Sequence, residues 1–314
     1  MAVTENEFAT YREFTRDLMK RLGALDFDGE TVLWHYTTGP GLLGILESGQ
    51  IFATQVACLN DSSETTYATE LFESAIKKAG EVMAPDDPGQ ILVKHIEGEL
   101  SEGTGRAGSS PSKFFVTCFT TQKDDLSQWR AYSEVGGENG YAIGFKARGL
   151  FVGPNSLVVK MNYDRELHHT LADEVATATL RYFREGLLTA PDRDPEQWAK
   201  EFFQAWDDQI YRLSPLIKDD GFQSENEFRI VHELQLTEVH LVRFRQKKTL
   251  LSRHIPLAFP VWAGNRVPIL PVAEVMVGPS RQREVSSVSV GTLLVQLGYR
   301  DFKVEISKRP LQLP

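Results

Sequence analysis

Residues 32–49, VLWHYTTGPGLLGILESG, carry the clearest structural signals in the chain. The run Val32-Leu33-Trp34-His35-Tyr36 is rich in β-branched and aromatic residues, which favours a strand. The helix that follows is marked at both ends, because Thr38 can cap its start, Pro40 suits its first turn and Gly49 is a typical C-terminal stop. Its buried side is expected to consist of Leu42, Leu43, Ile45 and Leu46. We therefore predict a first strand that leads directly into a short capped helix.

Hydrophobic periodicity assigns elements on both sides of this stretch. Residues 5–25 repeat apolar side chains every three or four positions, which predicts an N-terminal helix, and residues 165–213 predict a helical insertion in two segments. Further helices are predicted at residues 64–79, 91–100, 126–132 and 283–297. Further strands are predicted at residues 50–55, 114–120, 141–145, 157–163, 227–232, 239–244, 273–277 and 303–306.

The predicted fold class is α+β. No Pro/Gly/Ser linker separates the strands before the insertion from those after it. We therefore predict a single domain over residues 1–314, with a mostly antiparallel sheet core decorated by helices.

Composition limits the class of protein. The 314 residues are 41 % hydrophobic and 25 % charged, which is typical of a globular chain with a sizeable core. Two cysteines cannot form a disulfide framework, and the acidic N-terminus does not resemble a signal peptide, so we expect a cytoplasmic protein. No apolar run reaches the ~20 residues of a membrane helix. The net charge of −9 argues against a global surface for polyanions but allows a local basic patch.

The first candidate site residues end the first predicted strand. Successive side chains of a strand point to opposite faces, so only one of His35 and Tyr36 can enter a given pocket, with Thr37 beside them. The structural alternative is that Tyr36 is a core residue and His35 a satisfied hydrogen-bonding group.

A second candidate is the predicted helix Ser127-Gln128-Trp129-Arg130-Ala131-Tyr132. Trp129 and Tyr132 offer stacking surface, and Arg130 can bind phosphate or carboxylate in a bidentate manner. The structural alternative packs Trp129 into the core and places Arg130 in an ion pair.

An acidic pair enters a late predicted strand. In Glu225-Asn226-Glu227-Phe228-Arg229, alternation places Glu225, Glu227 and Arg229 on one face. Two carboxylates beside an arginine suit acid–base chemistry or the stabilisation of a cation. Solvated edge strands also carry such pairs, which is the structural alternative.

Basic residues cluster in residues 243–253, a segment that contains no acidic residue. They are Arg243, Arg245, Lys247, Lys248 and Arg253. The functional interpretation is a patch that binds phosphates, such as those of a nucleic-acid backbone. The structural interpretation is a solvated connector.

Several other chemistries lack sequence support. The neighbours His168 and His169 diverge on a helix, and no C-x-x-C or H-E-x-x-H pattern accompanies them, so we expect no metal. The glycines of residues 136–140 precede a strand rather than a helix, which indicates a tight turn and not a phosphate-binding loop. Cys118 is expected to be a small buried hydrophobe.

Taken together, several motifs resemble the prokaryotic domain of unknown function 2971 family. They are W-H-Y-T with G-L-L-G-I-L-E-S-G, L-N-D-S-S-E, C-F-T with L-S-Q-W-R-A-Y, G-Y-A-I-G-F, E-N-E-F-R-I-V and V-M-V-G-P. The resemblance spans residues 31 to 306. The pattern is also similar in outline to ADP-ribosyltransferase-like toxins, which have a histidine on the first strand, a small helix ending in glycine and a catalytic glutamate on a late strand.

This resemblance implies an ADP-ribosyltransferase-like fold and an NAD-dependent transferase, a toxin or phage-defence effector that modifies nucleic acid or protein. His35 would orient the NAD ribose and nicotinamide amide, and Glu227, or less readily Glu225, would stabilise the ribosyl cation. Glu225 would otherwise orient the acceptor.

The remaining site residues follow from that hypothesis. Tyr36, Thr37, Trp129, Arg130 and Tyr132 would complete the NAD site, and Arg243, Arg245, Lys247 and Lys248 would bind a nucleic-acid acceptor. An antitoxin or operon partner is expected. The alternatives are a non-catalytic module that binds a nucleotide or nucleic acid, and a protein-interaction component of a defence operon.

Overall fold

The computed structural model describes most of the chain. The described residues are 8–23, 30–59, 62–101, 113–132, 140–150, 153, 155–246, 250–258 and 269–310. The helices are α1 (Ala9–Gly23), α2 (Gly39–Ser48), α3 (Ser62–Glu81), α4 (Gly89–Ser101), α5 (Leu126–Tyr132), α6 (Arg165–Leu188), α7 (Pro195–Leu213) and α8 (Arg283–Gln296). The strands are β1 (Val32–Thr38), β2 (Gln50–Gln55), β3 (Phe114–Thr120), β4 (Gly140–Lys146), β5 (Ser156–Lys160), β6 (Glu227–Glu233), β7 (Arg243–Gln246), β8 (Leu251–Ala258), β9 (Val272–Val277) and β10 (Lys303–Ile306).

The strands of the described residues form one branched sheet. Its order is β10-β9-β4-β1-β3-β2-β8-β7, and β6 pairs with both β3 and β5. Among the described ladders with a defined register, β9–β10 is parallel and the others are antiparallel. This confirms the predicted mixed α+β class with a largely antiparallel sheet and several helices.

Strand β3 is the branch point of the sheet. Trp34 of β1 lies opposite Thr120, near the C-terminal end of β3, while Thr54 of β2 lies opposite Val116. Strand β6 is the third partner of β3. Three strands, each distant from β3 in sequence, therefore pair with this one short strand.

The chain divides into two compact units, each assembled from three segments. The first contains Met1–Ala24, Val56–Phe114 and Met161–Gln223, and the second contains Leu25–Gln55, Phe115–Lys160 and Ser224–Pro314. A single domain over residues 1–314 stays a prediction.

The first unit is helical, and aromatic side chains fill its core. Phe8 stacks on Trp198 with ring centroids 5.3 Å apart, and Phe202 packs edge-on against Trp198 at 5.5 Å. Helix α1 lies within the predicted N-terminal helix, of which residues 5–7, 24 and 25 are outside the described residues. Helices α6 and α7 occupy the predicted insertion.

The second unit contains the sheet, and its main core lies on one sheet face. Apolar side chains of the strands pack there with the buried sides of α2 and α8, including Leu33, Phe119, Ile143, Val275, Ile45 and Leu294. A smaller cluster from β1, β4, β9 and α5 contains Trp34, Tyr36, Ala142, Met276 and Trp129.

The predicted β1–α2 stretch is confirmed. The Thr38 side chain accepts a hydrogen bond from the backbone N–H of Gly41 at 3.3 Å, and Gly49 ends α2 with a φ of 63°. One detail was wrong: Leu43 is 45 % exposed, because it lies one residue, and so about 100°, from the buried Leu42.

The strand prediction at residues 239–244 was also wrong. Residues Leu236–Leu241 form a 3₁₀ helix, because Gln235 and Glu238 form a reciprocal capping box at its start. The strand begins only at Arg243, and it pairs with β8, which periodicity did not predict. The basic residues Arg243, Arg245 and Arg253 consequently lie on a β-hairpin and not on a connector.

Candidate functional site

His35 connects the first strand to the branch point. Its Nδ1 lies 2.9 Å from the carbonyl oxygen of Cys118, and its ring packs against Phe119 at 5.8 Å. Burial lowers the pKa of His35, the bond to Cys118 opposes this shift, and the charge of Arg245 adds to it. Because a carbonyl only accepts, Nδ1 carries the proton and Nε2 of the neutral ring keeps its lone pair as a hydrogen-bond acceptor.

The segment Glu225–Glu227 is hydrogen-bonded to the same part of β3. Thr120 Oγ1 donates to the carbonyl of Glu225 at 2.8 Å, and Asn226 Nδ2 donates to Thr121 Oγ1 at 2.5 Å. His35 and the Glu225–Glu227 segment, about 190 residues apart in sequence, thus attach within four consecutive residues of β3 and its C-terminal end.

The expected alternation of the two glutamates is wrong. Strand β6 begins at Glu227, Glu225 ends a 3₁₀ helix, and Asn226 between them has a φ of 45°. A left-handed residue breaks the period of two, so only Glu227 and Arg229 share a strand face.

Glu227 and Arg229 form a buried bidentate ion pair. Arg229 Nε donates to one carboxylate oxygen at 2.6 Å and its terminal nitrogen donates to the other at 3.0 Å. Glu227 is 6 % exposed and Arg229 2 %. This geometry fixes the orientation of the carboxylate.

Tyr36 and Trp129 belong to a packed cluster. The Tyr36 hydroxyl donates to the carbonyl of Gln122 at 2.9 Å and accepts from the N–H of Asp125 at 3.0 Å, while its ring meets Trp129 edge-on at 4.7 Å. Burial is the main reason that the pKa of Tyr36 rises to about 12. Trp129 is only 3 % exposed, and its Nε1 donates to Asp124 at 2.9 Å.

The other candidate residues of α5, unlike Trp129, are exposed to solvent. Arg130 and Tyr132 lie on the solvent side of α5, and Tyr132 is 43 % exposed. Thr37 is half-buried at the end of β1. Within α5, stacking surface for a ligand is therefore offered by Tyr132, whereas Trp129 anchors the helix.

The basic residues divide between described and undescribed positions. Arg243 and Arg245 are exposed on β7, opposite His254 and Ser252 of β8 respectively. Lys247 and Lys248 lie outside the described residues. The charge of Arg245 contributes, after burial, to the lowered pKa of His35.

A hydrogen-bonded chain that the sequence did not suggest links Ser156, His232 and Glu238. Ser156 Oγ lies 2.8 Å from His232 Nδ1, and His232 Nε2 lies 3.1 Å from a Glu238 carboxylate oxygen. Glu238 also accepts from the N–H of Gln235 at 2.9 Å, so the chain ties the 3₁₀ helix to β6. The β5–β6 register creates it by placing Ser156 opposite His232, and no local motif encodes that register.

Neither a metal-binding cluster nor a membrane-spanning helix occurs among the described residues. The described part of the chain holds no group of three or more His, Cys, Asp or Glu that suits a metal ion. His168 is buried and hydrogen-bonds with the Tyr67 hydroxyl at 2.8 Å and the Asn162 carbonyl at 3.0 Å. None of the described helices combines the length and the apolar character needed to cross a membrane.

One family shows similarity to this chain. The family described as a protein of unknown function (DUF2971) matches residues 128–230. The match supports the resemblance found in the motifs. It covers part of α5 and the Glu227–Arg229 pair, but neither His35 nor β7. No curated protein and no solved structure matches the chain.

Proposed function

We propose that this protein is an NAD-dependent ADP-ribosyltransferase that modifies a macromolecule, as a toxin or phage-defence effector. The observation that supports the proposal most is the convergence of His35 and the Glu225–Glu227 segment on residues 118–121 of the chain. The resemblance assigns His35 to NAD orientation and Glu227, or less readily Glu225, to catalysis.

The chemistry requires a fixed negative charge. Loss of nicotinamide from NAD develops positive charge on the ribose, and a preorganised carboxylate stabilises that charge. Glu227 would supply it, with Arg229 as the positioning residue that holds both of its oxygens. His35 Nε2 would accept a hydrogen bond from the ribose, and Arg130 and Tyr132 would contact the pyrophosphate and a ring.

The acceptor half of the reaction has a separate candidate. Glu225 is half-buried, and because the backbone turns at Asn226 its side chain does not share the strand face of Glu227. It would orient the incoming nucleophile of a nucleic acid or protein. Under this assignment Glu225→Gln lowers transfer to the acceptor more than it lowers hydrolysis of NAD.

The first experiment follows labelled NAD. The purified chain is incubated with adenylate-labelled NAD and cell lysate, and protein, RNA and DNA are then separated. Label in one fraction identifies the acceptor class, and nicotinamide release measures turnover. Absence of both label transfer and nicotinamide release would overturn the proposed activity.

The decisive variant is Glu227→Gln. One preorganised charge contact lowers the barrier by about 3–4 kcal/mol, so nicotinamide release should fall by about two to three orders of magnitude. This variant also removes the carboxylate from a buried ion pair, and breaking such a pair destabilises a fold by as much as about 3–5 kcal/mol. Circular dichroism and NAD binding must therefore accompany the rate.

Arg229→Gln is the matched control. It breaks the same ion pair but keeps the Glu227 carboxylate, so it should lose comparable stability and retain more turnover than Glu227→Gln. Less than a tenfold loss of turnover in folded Glu227→Gln would remove Glu227 from the chemical step.

A second candidate function is a non-catalytic module that binds a nucleotide. The observation in its favour is that Arg229 engages both Glu227 oxygens in a buried pair, as in a purely structural salt bridge. This function predicts that NAD binds without release of nicotinamide, which the same incubation measures.

A further inference from the structure

One face of the β2–β8–β7 ladder collects polar and cationic side chains. Directly opposed residues of antiparallel strands share a face, and so do residues two apart. The register places Arg243 opposite His254, Arg245 opposite Ser252, and Thr54 of β2 opposite His254 on its other side. These five residues, together with Phe52, are termed the β7–β8 face.

The arginines of this face have no acidic partner among the described residues. Arg243 donates to the carbonyl oxygens of His240 and Val242, at 2.6 and 3.3 Å. Arg245 donates to the Thr54 hydroxyl at 3.0 Å. Since adjacent strands are about 4.8 Å apart, Arg245 must extend across β8 to reach Thr54 two strands away. Most donors of both guanidinium groups thus have no hydrogen bond within the described chain.

Two buried polar groups lie beneath these arginines. His254 Nδ1 and Ser252 Oγ are buried and have no hydrogen-bond partner among the described residues. His254 is 7 % exposed and Ser252 0 %. Buried polar groups are almost always hydrogen-bonded, so a pair of orphaned groups at one place points to a ligand.

Two further observations describe the surroundings of His254. The register sets Arg243 opposite His254 and Arg245 opposite its neighbour Ser252, and the pKa of His254 is lowered first by burial and then by the charges of Arg245 and Arg243. Phe52 packs edge-on against the same ring at 4.9 Å and remains 37 % exposed, so an aromatic surface borders the arginines.

We propose that Arg243, Arg245, Ser252 and His254 form a binding site for a phosphate group. A phosphate offers several acceptor oxygens, which suits two guanidinium forks, a hydroxyl and an imidazole. Phe52 would lie beside a base or ring attached to that phosphate. Arg245 would exchange its bond to Thr54 for the ligand and uncover Ser252 and His254.

The phosphate site stands independently of the transferase activity. A link of this site to catalysis, through the electrostatic effect of Arg245 on His35, rests on the proposed function. The phosphate would then belong either to the NAD pyrophosphate or to a nucleic-acid acceptor, and both sources present the same chemistry to the arginines.

The test compares two arginines of the same hairpin. Arg245→Gln removes a charge from the β7–β8 face, whereas Arg253→Gln removes one from the opposite face, where Arg253 pairs with Phe244. Calorimetric titration of the full chain uses inorganic pyrophosphate, ADP-ribose and a single-stranded oligonucleotide as probes. We expect Arg245→Gln to weaken at least one probe tenfold or more, and Arg253→Gln to change it less than twofold.

The outcomes separate the sources and the two proposals. A loss confined to ADP-ribose and pyrophosphate assigns the site to the donor, and a loss confined to the oligonucleotide assigns it to the acceptor. Equal affinities in both variants, or no binding of any probe at millimolar concentration, would overturn the site. Nicotinamide release by the wild-type chain tests the transferase, and pyrophosphate binding by the same chain tests the phosphate site, so a failed transferase and a failed phosphate site remain distinguishable.

Discussion

Asp124 illustrates how one residue joins three parts of the second unit. It adopts a φ of 58°, and its Oδ1 accepts from Trp129 Nε1 at 2.9 Å. The carboxylate also accepts from Ser307 Oγ at 2.5 Å and from the N–H of Lys308 at 3.0 Å. The turn before α5 is thereby tied to the chain after β10.

At the residue scale we predict that Asp124→Ala destabilises the fold. The substitution removes the acceptor of the buried Trp129 N–H. It also places alanine, which has no polar side chain to stabilise a left-handed backbone, at a positive φ. The free energy of unfolding should fall by about 2–4 kcal/mol. Asp124→Asn keeps an acceptor oxygen and tolerates positive φ, so its loss should be smaller. Urea denaturation measures the free energy of unfolding of both variants. An alanine variant whose value lies within about 1 kcal/mol of the wild-type value would contradict the assignment.

At the element scale, α5 docks on the sheet through a single large side chain. Trp129 is the buried residue of this seven-residue helix. It fits closely because Gly278 lies beneath it: a β-carbon at Gly278 would stand 3.0 Å from the Trp129 ring and 2.8 Å from the carbonyl oxygen of Gly140. The position of Arg130 and Tyr132 therefore depends on the absence of a side chain at Gly278.

We accordingly predict that Gly278→Ala displaces α5. Overpacking should cost about 1–3 kcal/mol in the free energy of unfolding, and Trp129 fluorescence should change. Gly291→Ala is the control, since its β-carbon would meet only Val304 at 4.0 Å and alanine favours the helix interior. The control should be neutral or slightly stabilising, and equal effects in both variants would argue against this docking.

At the scale of the whole molecule, three histidines with lowered pKa values couple stability to pH. Burial is the main cause that lowers the pKa of His35, His168 and His254 below the ordinary value of 6.5. Below that value the unfolded chain binds protons that the folded chain does not. The stability from these groups is therefore complete above pH 6.5 and is lost as the pH falls towards their folded pKa values.

We predict that the free energy of unfolding falls between pH 6.5 and pH 5. Each histidine contributes a slope of at most about 1.4 kcal/mol per pH unit, so three give at most about 4. Denaturant titrations at several pH values measure this slope, and His168→Gln should reduce it by about a third. Carboxylates with lowered pKa, such as Asp87 and Asp219, act below this range. A flat profile from pH 7.5 to 5 would refute the coupling.

The sequence by itself determined the elements whose signals are local. The Thr38 cap, the left-handed Gly49 and the helical periods are interactions between residues a few positions apart, so β1, α2, α5 and the two helices of residues 165–213 were predictable. The α+β class followed from them. The candidate residues His35, Glu227, Arg243 and Arg245 were also visible, because their chemistry is a property of residue type.

Only the tertiary structure decided how those residues are arranged. A strand's period of two does not specify its partner or register, and a shift of one residue reverses every side chain. The attachment of His35 and Glu225 to β3, the contact of Ser156 with His232 and the hydrogen bond from Arg245 to Thr54 all depend on long-range registers. The sequence carries no local signal for them, since each is set by the packing of strands that are distant along the chain.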